Sequence, residues 1–133
     1  FEKTGRNTGA DMLNIFGQIA AEAAYTYGEE WLDELMEYLG GNLETLNTYF
    51  KDNIPSIRVG KLEATYLAWL DCRDVMDKAG NLNRFLVEKA GVGLNDGAMY
   101  GREGFGFQRL NFACPRGILL EGLKRIGEAI NSL

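Results

Sequence analysis

Arg109 stands in the middle of GFGFQRLNFACPRG, residues 104–117, the most strand-prone run of the chain. Strand periodicity puts Gln108, Leu110 and Phe112 on one face and Phe107, Arg109, Asn111 and Ala113 on the other. With Leu110 and Phe112 turned to a core, Arg109 and Asn111 point together to the opposite side. A guanidinium offers a fixed fork that matches a carboxylate through two parallel hydrogen bonds. Two readings fit this pattern. One is an ordinary arginine on a solvated face, the usual state of this residue type. The other is an anchor for a ligand that carries a carboxylate.

Other chemistries are poorly served. The chain has no histidine, which excludes a Ser-His triad and His-ligated zinc within it. Its two cysteines, Cys72 and Cys114, cannot build a tetrahedral thiolate site. Both lie in apolar, strand-like runs and read as buried free thiols of a protein in a reducing, cytoplasmic compartment. Gly91-x-Gly93-x-x-x-Gly97 has the look of a dinucleotide fingerprint, but the spacing is off by one residue and no helix follows. Asn95-Asp96-Gly97 reads instead as a turn. Glu63, Asp71 and Asp74 flank a strand with nothing to fix an acid–base geometry between them, so they read as a solvated edge. Tyr25, Tyr27, Trp31, Tyr38 and Tyr49 recur at helical spacing and read as packing residues.

The elements that must hold Arg109 follow from periodicity. Residues 1–14 are polar and loop-like. IFGQIAAEAAYTY, residues 15–27, is alanine-rich and helix-prone, with a break at Gly28. In residues 29–53, Leu32, Leu35, Met36, Leu39, Leu43, Leu46 and Phe50 form one helical face behind an acidic first turn. Gly40-Gly41 predicts a bend or a loosened turn in that helix, and Pro55 ends it. Strands are expected at 57–59, 62–72, 92–95 and 107–114. Residues 74–81 read as a loop or a turn of helix. A short helix is expected at 82–90 with Gly91 as its C-cap, and a glycine-rich loop at 96–106. Pro115 starts a last helix with Leu119, Leu123, Ile126 and Ile130 on one face. The order, two helices and then β-β-α-β-β-α, predicts an α/β two-layer sandwich: a small mixed sheet covered by helices and preceded by two linker helices.

The 133 residues suit one domain with a sizeable core, and 46% are hydrophobic and 25% charged. The net charge of -5 and the absence of a basic stripe argue against nucleic acid as a partner. No stretch is long and apolar enough to suggest a membrane span.

Four stretches, in order, carry a more specific signal: AAYTYGEEWLDELMEYL (23–39), ATYLAWLDCR (64–73), EKAGVGLNDGAMYG (88–101) and GFQRLNFACPR (106–116). Together they resemble the C-terminal, small domain of fold-type-I aminotransferases, which use pyridoxal 5′-phosphate (PLP). Within that family the resemblance is to the cystathionine β-lyase-like (C–S lyase) branch, and it covers the chain from about Asn14 to the end. It implies that Arg109 grips the α-carboxylate of an L-amino acid substrate, with Asn111 beside it. It implies that Arg116 has a structural role at a helix start, and that Asn14 approaches the cofactor of the neighbouring subunit in a homodimer. Residues 1–28 would then be a linker from an N-terminal large domain, and 29–133 the small domain. Family members need a Schiff-base lysine in a Ser-x-x-Lys-like segment. Neither Ser56 nor Ser132 starts one, and Lys3 stands in FEKTGR, which does not match. The chain is therefore expected to lack that lysine and to be inactive alone, while the parent is an enzyme that removes the α-proton of its substrate and either eliminates a β-thiolate or transfers the amine. In isolation the chain is expected to bind no PLP.

The alternative is a free-standing α/β module that holds a small carboxylate or acts in regulation, without a cofactor. The two readings differ at the first helices. A self-contained module buries the apolar residues there; a piece of a larger enzyme leaves them uncovered.

Overall fold

The structure, a computed structural model, describes residues 14–133. The chain divides into two units, Phe1–Glu37 and Tyr38–Leu133, and the division falls within a continuous helix.

In the first unit, α1 spans Ile15–Tyr27. Alanines favour it, and the Asn14 side chain caps it by accepting from the Phe16 N–H at 2.9 Å. None of its residues is buried. Ile15, Phe16, Ile19, Tyr25 and Tyr27 stand in solvent, Tyr25 at 95% exposure. Helix α2, Glu29–Asn53, begins with Glu29 and Glu30, acidic residues that suit a helix N-terminus. Trp31, Leu32 and Met36 on its first turns are likewise exposed.

The apolar face expected along the whole of α2 is therefore buried only in its second half, where Leu46 and Phe50 enter the core. The helix is continuous through Gly40-Gly41, where a bend or a loosened turn was expected. The reason for a glycine there is a neighbour: a Cβ on Gly41 would collide with the Arg116 guanidinium.

The second unit holds a four-stranded sheet. Its strands are β1 (Arg58–Val59), β2 (Leu67–Asp71), β3 (Asn95–Asp96) and β4 (Phe107–Asn111), in the order β1-β2-β4-β3. Every pairing is antiparallel, so the sheet is not mixed as expected. The α/β class stands, with helices over one face. Between β2 and β3 run α3 (Arg73–Ala79), where a loop or single turn was expected, and α4 (Leu82–Phe85). The latter continues into a wider π-type turn, Leu86–Ala90, that ends at Gly91 with φ +63°. The last helix, α5, is Arg116–Ile130.

All four strands are shorter than their composition predicts, β1 by one residue. β2 starts at Leu67 because Thr65 takes φ +67°, an unusual value for a β-branched residue, and its hydroxyl accepts from the Leu67 N–H at 3.3 Å. β4 ends at Asn111, whose side-chain oxygen accepts from the Ala113 N–H at 2.9 Å and turns the chain. β3 is the pair Asn95–Asp96 rather than 92–95. Those two residues do not form the expected turn; Asp96 caps the 3-10 turn Gly97–Tyr100 by accepting from the Ala98 N–H.

The core lies between the sheet and the helices. Ala68 and Leu70 of β2, and Leu110 with Phe112 from β4 and its exit, meet Leu46, Phe50, Leu119, Leu123, Ile126 and Ile130. The predicted face of α5 is thus the observed one. One polar residue is central. Asn42 is 0% exposed; its Nδ2 donates to the carbonyls of Phe112 and Cys114 at 3.0 and 2.9 Å, and its Oδ1 accepts from Arg116 Nε at 3.0 Å. It ties α2 to the exit of β4 and the entry of α5.

Asn42→Ala leaves these groups without partners, and a buried unpaired group costs about 1–3 kcal/mol. Chemical denaturation of the protein should show a loss of at least that size. Leu110→Asp places a carboxylate in the core and should abolish folding of this unit, seen as loss of the cooperative transition; a stable variant would mean that the faces of β4 are reversed.

Candidate functional site

The face of the sheet away from the core carries Trp69, Asp71, Asn95, Phe107, Arg109 and Asn111. Pairing sets them side by side: Trp69 of β2 and Asn95 of β3 are both register partners of Arg109 on β4. The alternation expected from the sequence is observed, with Gln108, Leu110 and Phe112 buried and Phe107, Arg109 and Asn111 turned away.

Arg109 is half-buried. Its Nη2 donates to Asn95 Oδ1 at 2.9 Å, and its guanidinium carbon lies 4.9 Å from the centre of the Tyr100 ring. Its Nε is buried and without a partner among the described residues. None of the ion pairs among them includes Arg109. A guanidinium partly removed from water without an anion is costly, and a bound carboxylate removes that cost. Asn111 is exposed; its Oδ1 serves the turn to Ala113, which leaves its amide N–H groups as donors. Both residues line an open groove of about 680 Å³ that runs to Cys114, Ile118 and Gly122 at the start of α5.

Aromatic rings brace this surface. Trp69 meets Tyr100 edge-on and Phe107 face-on, each with centroids 5.7 Å apart. The Arg73 guanidinium covers the other part of Phe107 at 5.1 Å. Sequence reasoning took Asn95 only as a turn residue and did not single out Tyr100; the two-residue strand of one and the loop position of the other give no periodic signal.

The remaining candidates have structural partners. Asp71 accepts from Arg73 Nε and Nη2 at 2.8 and 2.7 Å, and Arg58 bridges Asp71 and Asp74 at 3.4 and 3.0 Å. Hydrogen bonds from Arg73 hold the Asp71 carboxyl well below the usual carboxylate range. Glu63 pairs with Lys61 at 2.7 Å. Cys72 is buried, and desolvation pushes its thiol up to about 12. Cys114 is only half-buried, not buried as expected, because it follows the strand instead of lying in it. Arg116 opens α5, where it contacts Asn42 and the carbonyl and ring of Tyr38. Asn14 caps α1, with its carboxamide oxygen occupied. Gly91 and Gly97 do not form a phosphate loop: the first ends a helix and the second packs on Gly104.

Comparison with known proteins places this geometry. No protein-family profile matches the chain. It is 35% identical over 98% of its length to the cystathionine beta-lyase PatB of Bacillus subtilis, of which it covers 34%. Among solved structures, a PLP-bound protein of Clostridium difficile described as an aminotransferase superposes with a TM-score of 0.91 at 39% identity, over 98% of this chain and 34% of that one. Cystalysin of Treponema denticola, which contains PLP, superposes at 0.87 with 29% identity, over 97% and 33%. The chain thus spans about a third of the length of the curated relatives it matches. The fold is that of the C-terminal domain of fold-type-I aminotransferases. The homologues of this chain are cystathionine β-lyases and PLP-dependent aminotransferases, and it corresponds to their C-terminal part.

The described residues fit one end of such a site. They offer a fork for a carboxylate. They offer no amine for a Schiff base: Lys51, Lys61, Lys78, Lys89 and Lys124 are all exposed, and none lines the Arg109 groove.

The Asp71 cluster sets a pH response. Because its carboxyl is held low by Arg73, its contribution to stability is present above the ordinary carboxylate range and is lost as pH falls below about 4. Thermal melts from pH 7 to 3 should show a shallower acid loss for Asp71→Asn than for the unsubstituted protein.

Proposed function

We propose that this chain supplies the substrate-carboxylate end of the active site of a PLP-dependent enzyme acting on L-amino acids, a C–S β-lyase or an aminotransferase. The single observation that carries this is Arg109: half-buried, braced on a strand, with no anion among the described residues. In this reading Arg109 takes the α-carboxylate in its fork, and Asn111 donates a further N–H to it. The strand sets the direction of the fork, so the substrate's Cα is held in one orientation toward the reacting groups. PLP, bound by the whole protein, supplies the electron sink for the charge left at Cα when its proton is removed.

The exposed apolar residues of α1 and early α2 support a whole protein larger than these residues. They speak against the free-standing carboxylate-binding module, which would cover them. We read Phe1–Tyr27 with Gly28 as a linker from an N-terminal large domain and residues 29–133 as the small domain, which is inactive alone. The parent is a homodimer, and Asn14 lies near the partner's cofactor. The two free cysteines support a reducing, cytoplasmic setting. Among the described residues no helix is long and apolar enough to cross a membrane.

The test uses the full-length protein. Release of pyruvate and ammonia from L-cystathionine identifies the lyase, and amine transfer to a 2-oxo acid identifies the aminotransferase. Arg109→Ala should lower kcat/KM by roughly 100-fold, the loss of charge-assisted hydrogen bonds to an anion, with the cofactor absorbance unchanged. Loss of the cofactor band, or unchanged turnover, contradicts the assigned role.

A further inference from the structure

Arg109 is a long side chain, and such a chain left free loses rotamer entropy when it is fixed. Here it is fixed before any ligand arrives. Asn95, its cross-strand partner, accepts from Nη2 at 2.9 Å, and the Tyr100 ring lies against the guanidinium at 4.9 Å. Tyr100 is in turn held by Trp69, edge-on at 5.7 Å and 71°. The loop that carries Tyr100 is pinned by backbone contact: a Cβ on Gly97 would run into the carbonyls of Gly104 and Phe107. Core burial does not explain the position of Tyr100, which is 52% exposed.

The chemistry of the two contacts matters. Both hold a cation without neutralising it. An aspartate at position 95 would fix the same nitrogen, but it would cancel the charge that a carboxylate ligand needs. A carboxamide oxygen is a neutral acceptor, and an aromatic face is a neutral support. We propose that Asn95 and Tyr100 are positioning residues that pre-aim Arg109 while leaving its charge free for the substrate's α-carboxylate. This rests on the reading of Arg109 as the carboxylate ligand, and it assigns roles to two further residues.

The need for a neutral partner is tested at Asn95. If no ligand carboxylate uses the Arg109 charge, Asn95→Asp adds an ion pair and does no harm to binding. If the charge must stay free, the same change holds or raises the melting temperature and weakens the ligand. The experiment is calorimetric titration of the full-length holoprotein with L-alanine and with L-alaninamide, which lacks the carboxylate, alongside thermal melts. Asn95→Asp should weaken L-alanine by about 10-fold through the added negative charge, leave L-alaninamide unweakened, and keep or raise the melting temperature. Tyr100→Leu should weaken L-alanine by about 2- to 5-fold, the size of an exposed cation–π contact, and Tyr100→Phe should restore it, since the ring and not the hydroxyl meets Arg109. Arg109→Ala is the reference. If it abolishes the preference for L-alanine while Asn95→Asp and Tyr100→Leu both bind as the unsubstituted protein does, Arg109 remains the ligand and the positioning role is overturned. If Arg109→Ala itself keeps the preference, there is no grip to aim, and both readings fall. Should Tyr100→Leu fail to fold, Asn95→Asp decides alone.

Discussion

Along β4 successive side chains leave the strand on opposite faces, so each residue that packs into the core fixes the aim of its neighbour. Gln108, Leu110 and Phe112 are locked by burial. Phe107, Arg109 and Asn111 then have no choice of face. A slip of one residue would exchange the two sets, placing a guanidinium in the core and two large apolar groups in solvent. The free energy of the core thus holds the register, and the register holds the site. β4, like β2, has a partner on both sides, and its partners β2 and β3 deliver Trp69 and Asn95 to either side of Arg109.

A second joint holds the end of that strand. Asn42 closes the backbone of Phe112 and Cys114 and passes a hydrogen bond to Arg116, while Arg116 stacks on Tyr38 and its backbone N–H donates to the Tyr38 hydroxyl at 2.7 Å. One polar residue with every group paired fixes three elements at once, which an apolar side chain of the same size does not do. The groove beside Arg109 is bounded by the start of α5, so the same joint also fixes its far wall.

Much of this was legible in the sequence because it rests on period. The two-residue repeat of β4 and the three-and-four spacing of α5 each have a buried face, and burial is what period reports. The class, the element order and the separation of Arg109 from Leu110 followed from it. What period does not report was missed. The exposed first half of α2 has the same spacing as its buried half, since a repeat says which face is apolar and not whether anything covers it. Gly40-Gly41 read as a weakness in the helix, whereas Gly41 makes room for the Arg116 guanidinium, a contact across 75 residues of chain. An asparagine directly after two glycines in an apolar helix is the signal that could have marked Asn42. The sheet is antiparallel throughout, and the lengths of its connections alone do not give that direction. Asn95 and Tyr100 reach Arg109 through a two-residue strand and a loop, neither of which leaves a pattern.

The account turns on whether Arg109 takes the carboxylate of an amino acid. The most direct measurement is the side-chain NMR spectrum of the full-length holoprotein with isotope-labelled arginine, assigned by comparison with Arg109→Lys, during titration with L-alanine and then with L-alaninamide. The account predicts that the guanidinium signals of Arg109 move and saturate with L-alanine and stay in place with the amide. Signals that ignore both, or that respond equally to both, would contradict it.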